Sequence, residues 1–319
     1  MPLKVKQKTD NRRRKTDKII FIVGPTGIGK SAVAAELAKK IGGEIVSCDS
    51  MQIYKGMEII TSLPPDALKK KVRHHLLALI PPTAEFNVSA YRKEAVKKIK
   101  EITGKGKVPV FCGGTGLYVN ILIDGIFKAK TEDPKWRKKL YLQLEKYGKD
   151  YLYKKLRRVD PSAARRIHPH DSRRVIRALE VFKATGKPLS GWQKERKGLR
   201  DNYAIRAFCL NMDRAALYER IERRVDAMFK AGLLKEARRI LRRKLSRTAG
   251  YAIGIRELSG YFQGKYGLEE ASRLMKINTR RYAKRQLTWF RKDKRIRWIN
   301  VRQDEPVAET AGRIWKELS

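Results

Sequence analysis

Residues 24–31 read Gly24-Pro25-Thr26-Gly27-Ile28-Gly29-Lys30-Ser31 and satisfy the pattern G-x-x-x-x-G-K-[ST] in full. Glycines at this spacing let the backbone curl until successive amide N–H groups point inward at phosphate oxygens. A following helix adds the partial positive charge of its N-terminus, Lys30 adds a point charge, and the Ser31 hydroxyl is a ligand for Mg²⁺. An ordinary glycine turn explains the pattern less well, because a buried strand precedes it and a helix follows. The loop therefore binds phosphate, though the motif does not say what is done with it. A nucleotide-hydrolysing enzyme of this class carries a second apolar strand ending in a metal-holding Asp. Here the comparable strand, 108–112, ends in Gly113-Gly114-Thr115-Gly116 without a carboxylate. The acid instead follows the strand at 44–48, as Asp49. In small P-loop kinases a group at that edge faces the acceptor, so Asp49 is placed to act on a nucleophile. The competing reading is that Asp49 only caps a loop or helix through Ser50.

These residues need a frame. Residues 19–23 form an unbroken β-branched and aromatic run, as in a strand covered on both faces. Residues 31–41 carry helical apolar spacing, 44–48 read as a second strand, 87–102 as an amphipathic helix opened by Ser89, and 108–112 as another buried strand. Strand and helix alternate, which predicts an α/β fold: a P-loop-type core with a parallel sheet flanked by helices. From residue 123 the pattern changes, because 134–158 and 172–185 are long, charged and helical. A strand returns at 204–210, and helices follow from 215 to a last strand at 296–301. We expect a basic disordered tail at 1–17, a core formed by 18–122 and 202–319, and an all-helical insertion at 123–201.

Lys and Arg number 75 against 33 Asp and Glu, a formal charge of +42 in 319 residues. Such self-repulsion is most simply explained by a polyanionic partner, with nucleic acid ahead of an anionic membrane. No apolar run is long enough to span a bilayer and no signal peptide opens the chain. Cys48, Cys112 and Cys209 are odd in number and far apart, as expected of buried thiols in a reducing cytoplasm. Arg281, Lys284 and Arg285 share one side of a predicted helix, and Arg173, Arg174 and Arg177 share another, opposite Val175, Leu179 and Phe182. Both stripes fit phosphate contact better than idle solvation. His74-His75 and His168-Pro169-His170 lack further ligands at metal-binding spacing and suit loop or RNA contacts instead.

Several stretches, taken together, resemble the bacterial tRNA dimethylallyltransferases. They are the phosphate loop, Asp49-Ser50-Met51-Gln52-Ile53-Tyr54, Phe111-Cys112-Gly113-Gly114-Thr115-Gly116, Asp160-Pro161 with His168-Pro169-His170-Asp171, Arg173–Val181 and Thr279–Arg291. The resemblance runs in order from about residue 18 to 300. It implies transfer of a dimethylallyl group from dimethylallyl diphosphate to the exocyclic amine of the adenosine 3′ of the anticodon, with Mg²⁺ as cofactor. The base is flipped into a channel, because a stacked adenine cannot present its amine, and the helical insertion grips the anticodon stem-loop. By motif position, Gly24, Pro25, Thr26, Gly27, Ile28, Gly29, Lys30 and Ser31 hold the diphosphate. Asp49 is the base, while Thr26, Lys30 and Arg224 face the diphosphate. Contacts to tRNA fall on Asp49, Ser50, Met51, Gln52, Thr115, Arg137, Arg173, Arg174, Val175, Ile176, Arg177 and Arg256, joined by Arg281, Lys284 and Arg285. One departure is Ile255, where the family carries a tyrosine. The resemblance further implies a cytoplasmic, membrane-free protein, and a monomer is the default. Two rivals remain open at this point: a P-loop kinase that binds ATP, and a non-catalytic RNA-binding protein with a vestigial loop.

Overall fold

The computed structural model describes residues 18–127 and 133–318; the basic segment 1–17 lies outside the described residues. Contacts divide the chain into two compact units, one comprising Met1–Ile123 with Asn202–Ser319, the other Asp124–Asp201.

The larger unit is built on six parallel strands: β1 (Lys18–Val23), β2 (Gly43–Ser47), β3 (His74–His75), β4 (Val108–Gly113), β5 (Ala204–Asn211) and β6 (Ile296–Asn300). Their order across the sheet is β3-β2-β4-β1-β5-β6. Central β1 pairs β4 through Ile20↔Val110 and β5 through Ile20↔Arg206. It is buried from Ile19 to Val23, as an apolar run with no polar alternation demands. Helices α1 (Lys30–Lys40), α2 (Asp66–Lys71), α3 (Val88–Thr103) and α4 (Gly116–Asp124) link the early strands. One face of the sheet is sealed by Ala34, Leu37 and Ala38 of α1 with Ile20, Ile22, Val110 and Phe208. The expected P-loop-type α/β core is what the chain adopts.

Two local expectations are corrected. The helix near residue 88 is opened by Asn87, whose side chain accepts the N–H groups of Ser89 and Ala90, and not by Ser89. His74-His75 is neither loop nor a free RNA contact: it forms the edge strand β3, and buried His75 Nε2 lies 2.7 Å from Glu44 Oε2.

The smaller unit contains α5 (Pro134–Val159), α6 (Pro161–Ala164), α7 (Ser172–Thr185) and α8 (Leu189–Lys194). Gly148 takes φ 78 inside α5, so 134–158 is two helical stretches joined at a kink. Leu140, Leu152, Leu156, Val175, Ile176 and Leu179 form its core. Fully buried Asp160 ties the unit together: one carboxylate oxygen accepts Ala163 N–H and the other accepts Ser190 N–H, each at 2.8 Å. The Asp160-Pro161 pair is thus structural, and Asp171 caps α7 through Arg174 N–H.

Returning to the larger unit, α9 (Arg214–Lys230), α10 (Leu233–Leu241), α11 (Ile255–Phe262), α12 (Leu268–Phe290) and α13 (Val307–Lys316) complete the fold.

Candidate active site

A parallel sheet directs the carboxyl ends of its strands to one edge, and that edge is where ligands enter such folds. Here β1 ends in the phosphate loop, β2 in Cys48-Asp49 and β4 in Gly113-Gly114-Thr115. Gly29 takes φ 94 and starts α1, a left-handed conformation that an L side chain resists.

The loop is held from two directions. Gln286, buried on α12, accepts the Thr26 N–H at 2.8 Å through Oε1 and donates from Nε2 to Gly114 O at 2.9 Å. Arg224 on α9 donates from Nη2 to Thr26 Oγ1 at 2.6 Å. Lys30 Nζ donates to Pro25 O at 2.7 Å. Burial lowers the Lys30 pKa, while Cys112 and the Asp49 charge act to raise it. Burial likewise lowers that of Arg224, again against Asp49. Arg224 Nε is a buried donor without a partner. An anion entering here would supply the missing acceptor, since a buried unpaired donor costs about 1–3 kcal/mol.

Asp49 Oδ1 accepts the Met51 N–H at 2.9 Å, so the residue does cap its loop, though through Met51 and not through Ser50. The same side chain also lines a cavity of about 550 Å³ together with Thr26, Ser50, Met51, Thr115, Arg224 and Arg285. Ser50 N–H donates to Thr115 Oγ1 at 3.0 Å, which locks the ends of β2 and β4 together. The remaining wall includes Ile60, Val225, Met228, Ile253 and Met275, with Tyr282 and Trp289 from α12. The cavity therefore has a polar end, with Thr26, Asp49 and the cations Arg224 and Arg285, and an apolar wall. Such a shape matches an amphiphile with an anionic head and a short hydrocarbon tail. Burial, then Asp49, raises the pKa of Tyr282, whose hydroxyl meets Thr115. Burial also pushes the Cys112 thiol up to about 11 and those of Cys48 and Cys209 to about 12, which leaves them inert as nucleophiles.

Other residues singled out in the sequence stand apart. Gln52 does not line the cavity; its Nε2 donates to the backbone oxygen of Ser62, which does, at 3.2 Å. Arg281 and Lys284 are exposed on α12 and Arg256 is exposed on α11. Val175 and Ile176 are 1% and 2% exposed in the core of the helical unit, so as side chains they reach no ligand. Only the arginines of that segment face outward. Arg137 makes a two-pronged ion pair with buried Glu180, at 2.5 and 2.8 Å. Ile255 is buried at the start of α11 and contributes to packing rather than to a stacking surface. Among the described residues no cluster of His, Cys, Asp or Glu is suited to hold a metal, the His168–His170 pair included. No helix among the described residues is long and apolar enough to cross a membrane.

Gln286 was missed. Its signal was present, because Met275, Thr279, Ala283, Gln286 and Phe290 trace the buried stripe of α12. An amide on an apolar stripe needs buried partners.

The chain is similar to known proteins over most of its length. The model of the IPP transferase family matches residues 52–293. The tRNA dimethylallyltransferase of Carboxydothermus hydrogenoformans is 46% identical over 287 residues, covering 89% of this chain and 92% of the relative. That of Moorella thermoacetica is 45% identical, covering 89% and 90%. The crystal structure of the tRNA isopentenylpyrophosphate transferase from Bacillus halodurans superposes with a TM-score of 0.69 at 38% identity, covering 95% of this chain and 97% of that one. A eukaryotic dimethylallyltransferase caught acting on tRNA superposes with a TM-score of 0.76 at 31% identity, covering 89% and 74%.

Proposed function

The chain belongs to the IPP transferase family, and on that premise we propose that it transfers a dimethylallyl group to the adenosine 3′ of the anticodon in tRNA. The donor is dimethylallyl diphosphate. A bond forms between the exocyclic nitrogen of adenine and the allylic carbon, the carbon–oxygen bond to diphosphate breaks, and the nitrogen loses a proton. The observation that carries this reading is the single cavity in which Thr26, Arg224 and Asp49 face an apolar wall of Ile60, Val225, Met228 and Met275.

The exocyclic amine is a weak nucleophile, because its lone pair is delocalised into the ring. Much of the barrier therefore lies in the departure of diphosphate. The loop amides, Lys30 and the unpartnered Nε of Arg224 stabilise that anion, and electrostatic stabilisation of this type is usually the largest single contribution to rate. Asp49 orients the amine and takes its proton. A Mg²⁺ ion fits this donor set: the Ser31 hydroxyl and the oxygens of a diphosphate would hold it, as Mg²⁺ is usually held by few protein groups and substrate phosphates. When bound, it would neutralise charge on the leaving group.

A kinase built on the same loop fits less well, because β4 ends in glycines and the cavity offers a hydrocarbon wall beside Asp49. A non-catalytic RNA binder would have no use for the bond between Arg224 and Thr26 at the cavity. The helical unit, with Arg137, Arg173, Arg174 and Arg177, is assigned to the anticodon stem-loop, and the protein to the cytoplasm as a monomer. Incubating the protein with tRNA and either labelled dimethylallyl diphosphate or γ-labelled ATP tests the proposal. Label entering tRNA from the prenyl donor alone is the expected result, and label arriving only from ATP would overturn it.

A further inference from the structure

Helix α10 divides its residues sharply. Leu233, Ala237 and Ile240 are buried, and so is Glu236, whose carboxylate accepts the N–H groups of Ile59 at 3.0 Å and Ile60 at 2.8 Å. The outward side of α10 and the residues after it hold Lys235, Arg238, Arg239, Arg242, Arg243 and Lys244, all exposed. Glu236 is the only acid in that stretch and is turned inward. None of the six cations makes an ion pair with a described acid. Several arginines elsewhere on the larger unit are neutralised, as Arg273 is by Glu270, Arg280 by Glu222 and Arg302 by Glu309.

Two of the α10 cations are also held in place. Arg239 Nη2 donates to Gly56 O at 3.1 Å, and the Arg238 guanidinium lies over the Phe262 ring at 5.2 Å. Together with Lys235 and Arg242 they line a hollow of about 690 Å³ that also includes Ile59. The adjacent residues Ile60 and Thr61 line the catalytic cavity. The two hollows thus share one thin wall, residues 59–61, pinned by Glu236. Concentrating unpaired like charge costs stability through self-repulsion. A concave, preorganised cationic surface beside a chamber that must receive a base carried on a polyanion has an evident occupant.

We propose that Lys235, Arg238, Arg239 and Arg242 bind backbone phosphates of the tRNA strand flanking the adenosine that enters the cavity. The contact rests on tRNA being the substrate. It reads charge and spacing rather than base identity, because guanidinium–phosphate contacts position a strand without reading sequence.

The test is the salt dependence of tRNA binding by the full chain, between about 50 and 200 mM potassium chloride, for the parent and for R238Q/R239Q/R242Q. Each lost phosphate contact removes about 0.7–0.9 from the slope of log affinity against log salt. The triple variant should therefore be shallower by about 2–3, with an unchanged melting temperature and an unchanged KM for dimethylallyl diphosphate at saturating tRNA. An unchanged slope in a folded, active variant would overturn the surface and leave the transferase intact. Should the triple variant melt early, Lys235→Glu and Arg242→Glu, at exposed positions, replace it and must each flatten the slope. A parent protein that transfers no prenyl group to tRNA would instead overturn the functional reading, and this surface with it.

Discussion

Replacing Gln286 with leucine tests whether the phosphate loop is held in place from the far end of the chain. Leucine fills nearly the same volume but can neither accept from Thr26 N–H nor donate to Gly114 O. Leaving a buried polar group unsatisfied costs about 1–3 kcal/mol. Thr26 is partly exposed and can recruit water, so its share lies at the low end; Gly114 O is buried, so its share lies at the high end. Together they give a loss of about 2–4 kcal/mol, within the roughly 5–15 kcal/mol of an ordinary fold, so the variant stays folded. Denaturant unfolding measures this loss directly. The loop should also lose register, and a displacement of about 1 Å at a positioned group can cost on the order of 10²-fold in rate. Steady-state kinetics should show kcat/KM for dimethylallyl diphosphate falling about 10–100-fold, while tRNA affinity holds. Gly114→Ala should reproduce the effect, because an added Cβ would stand 2.0 Å from Gln286 Nε2. Stability within about 0.5 kcal/mol of the parent, with unaltered kinetics, would refute the reasoning.

Asp49→Asn retains an oxygen for Met51 N–H, so the turn survives while the proton acceptor is lost. Single-turnover transfer should slow by about 10²–10⁴-fold with tRNA affinity nearly intact; a fully active variant would remove Asp49 from the chemistry. Glu180→Gln frees Arg137 from its carboxylate, and thermal unfolding should register a loss of about 1–3 kcal/mol. It should also weaken tRNA binding without changing kcat at saturating tRNA, and equal affinity would show that Arg137 does not need this orientation. For Glu44, burial raises the pKa, but hydrogen bonds and charge from Lys107 and His75 outweigh it and hold the group at about 2. A depressed folded pKa means that this contribution is complete above the ordinary value of about 4.5 and disappears as pH falls toward 2. Glu44→Gln should flatten the acid limb of the stability curve across that window.

How much of this was legible depended on whether the cause was local. The phosphate loop could be read because its backbone curl is written in glycine spacing, and Asp49 because it ends a strand. The parallel sheet followed from alternation alone. Arg224 came only from resemblance, since its bond to Thr26 spans 198 residues and leaves no local trace. Periodicity set Arg173, Arg174 and Arg177 opposite Val175, but the resemblance carried the whole segment to RNA, and Val175 and Ile176 are buried. The break at Gly148 was hidden because residues on both sides favour helix. The edge strand at His74-His75 was hidden because two residues carry no periodicity.

The position of Gln286 also bears on why the two halves of the core unit must act together. A phosphate loop bound only to its own strand and helix can bind nucleotide in many unrelated proteins. In this chain the Thr26 amide is fixed by a residue 260 positions away, and the Thr26 hydroxyl by Arg224. Helix α12, which supplies Gln286, also supplies Tyr282, Arg285 and Trp289 to the cavity wall, and Arg281 and Lys284 to the exposed basic side. One helix therefore touches the loop at Thr26, the wall of the cavity and an exposed cationic surface. Rigid elements hold sites more precisely than loops do. If RNA settles on the outer side of α12, as proposed for Arg281 and Lys284, Gln286 would register it against the phosphate loop. On the proposed function, the amine held by Asp49 and the diphosphate held by the loop would be kept in line by α12 and α9, which fix Thr26 from the distant half of the chain.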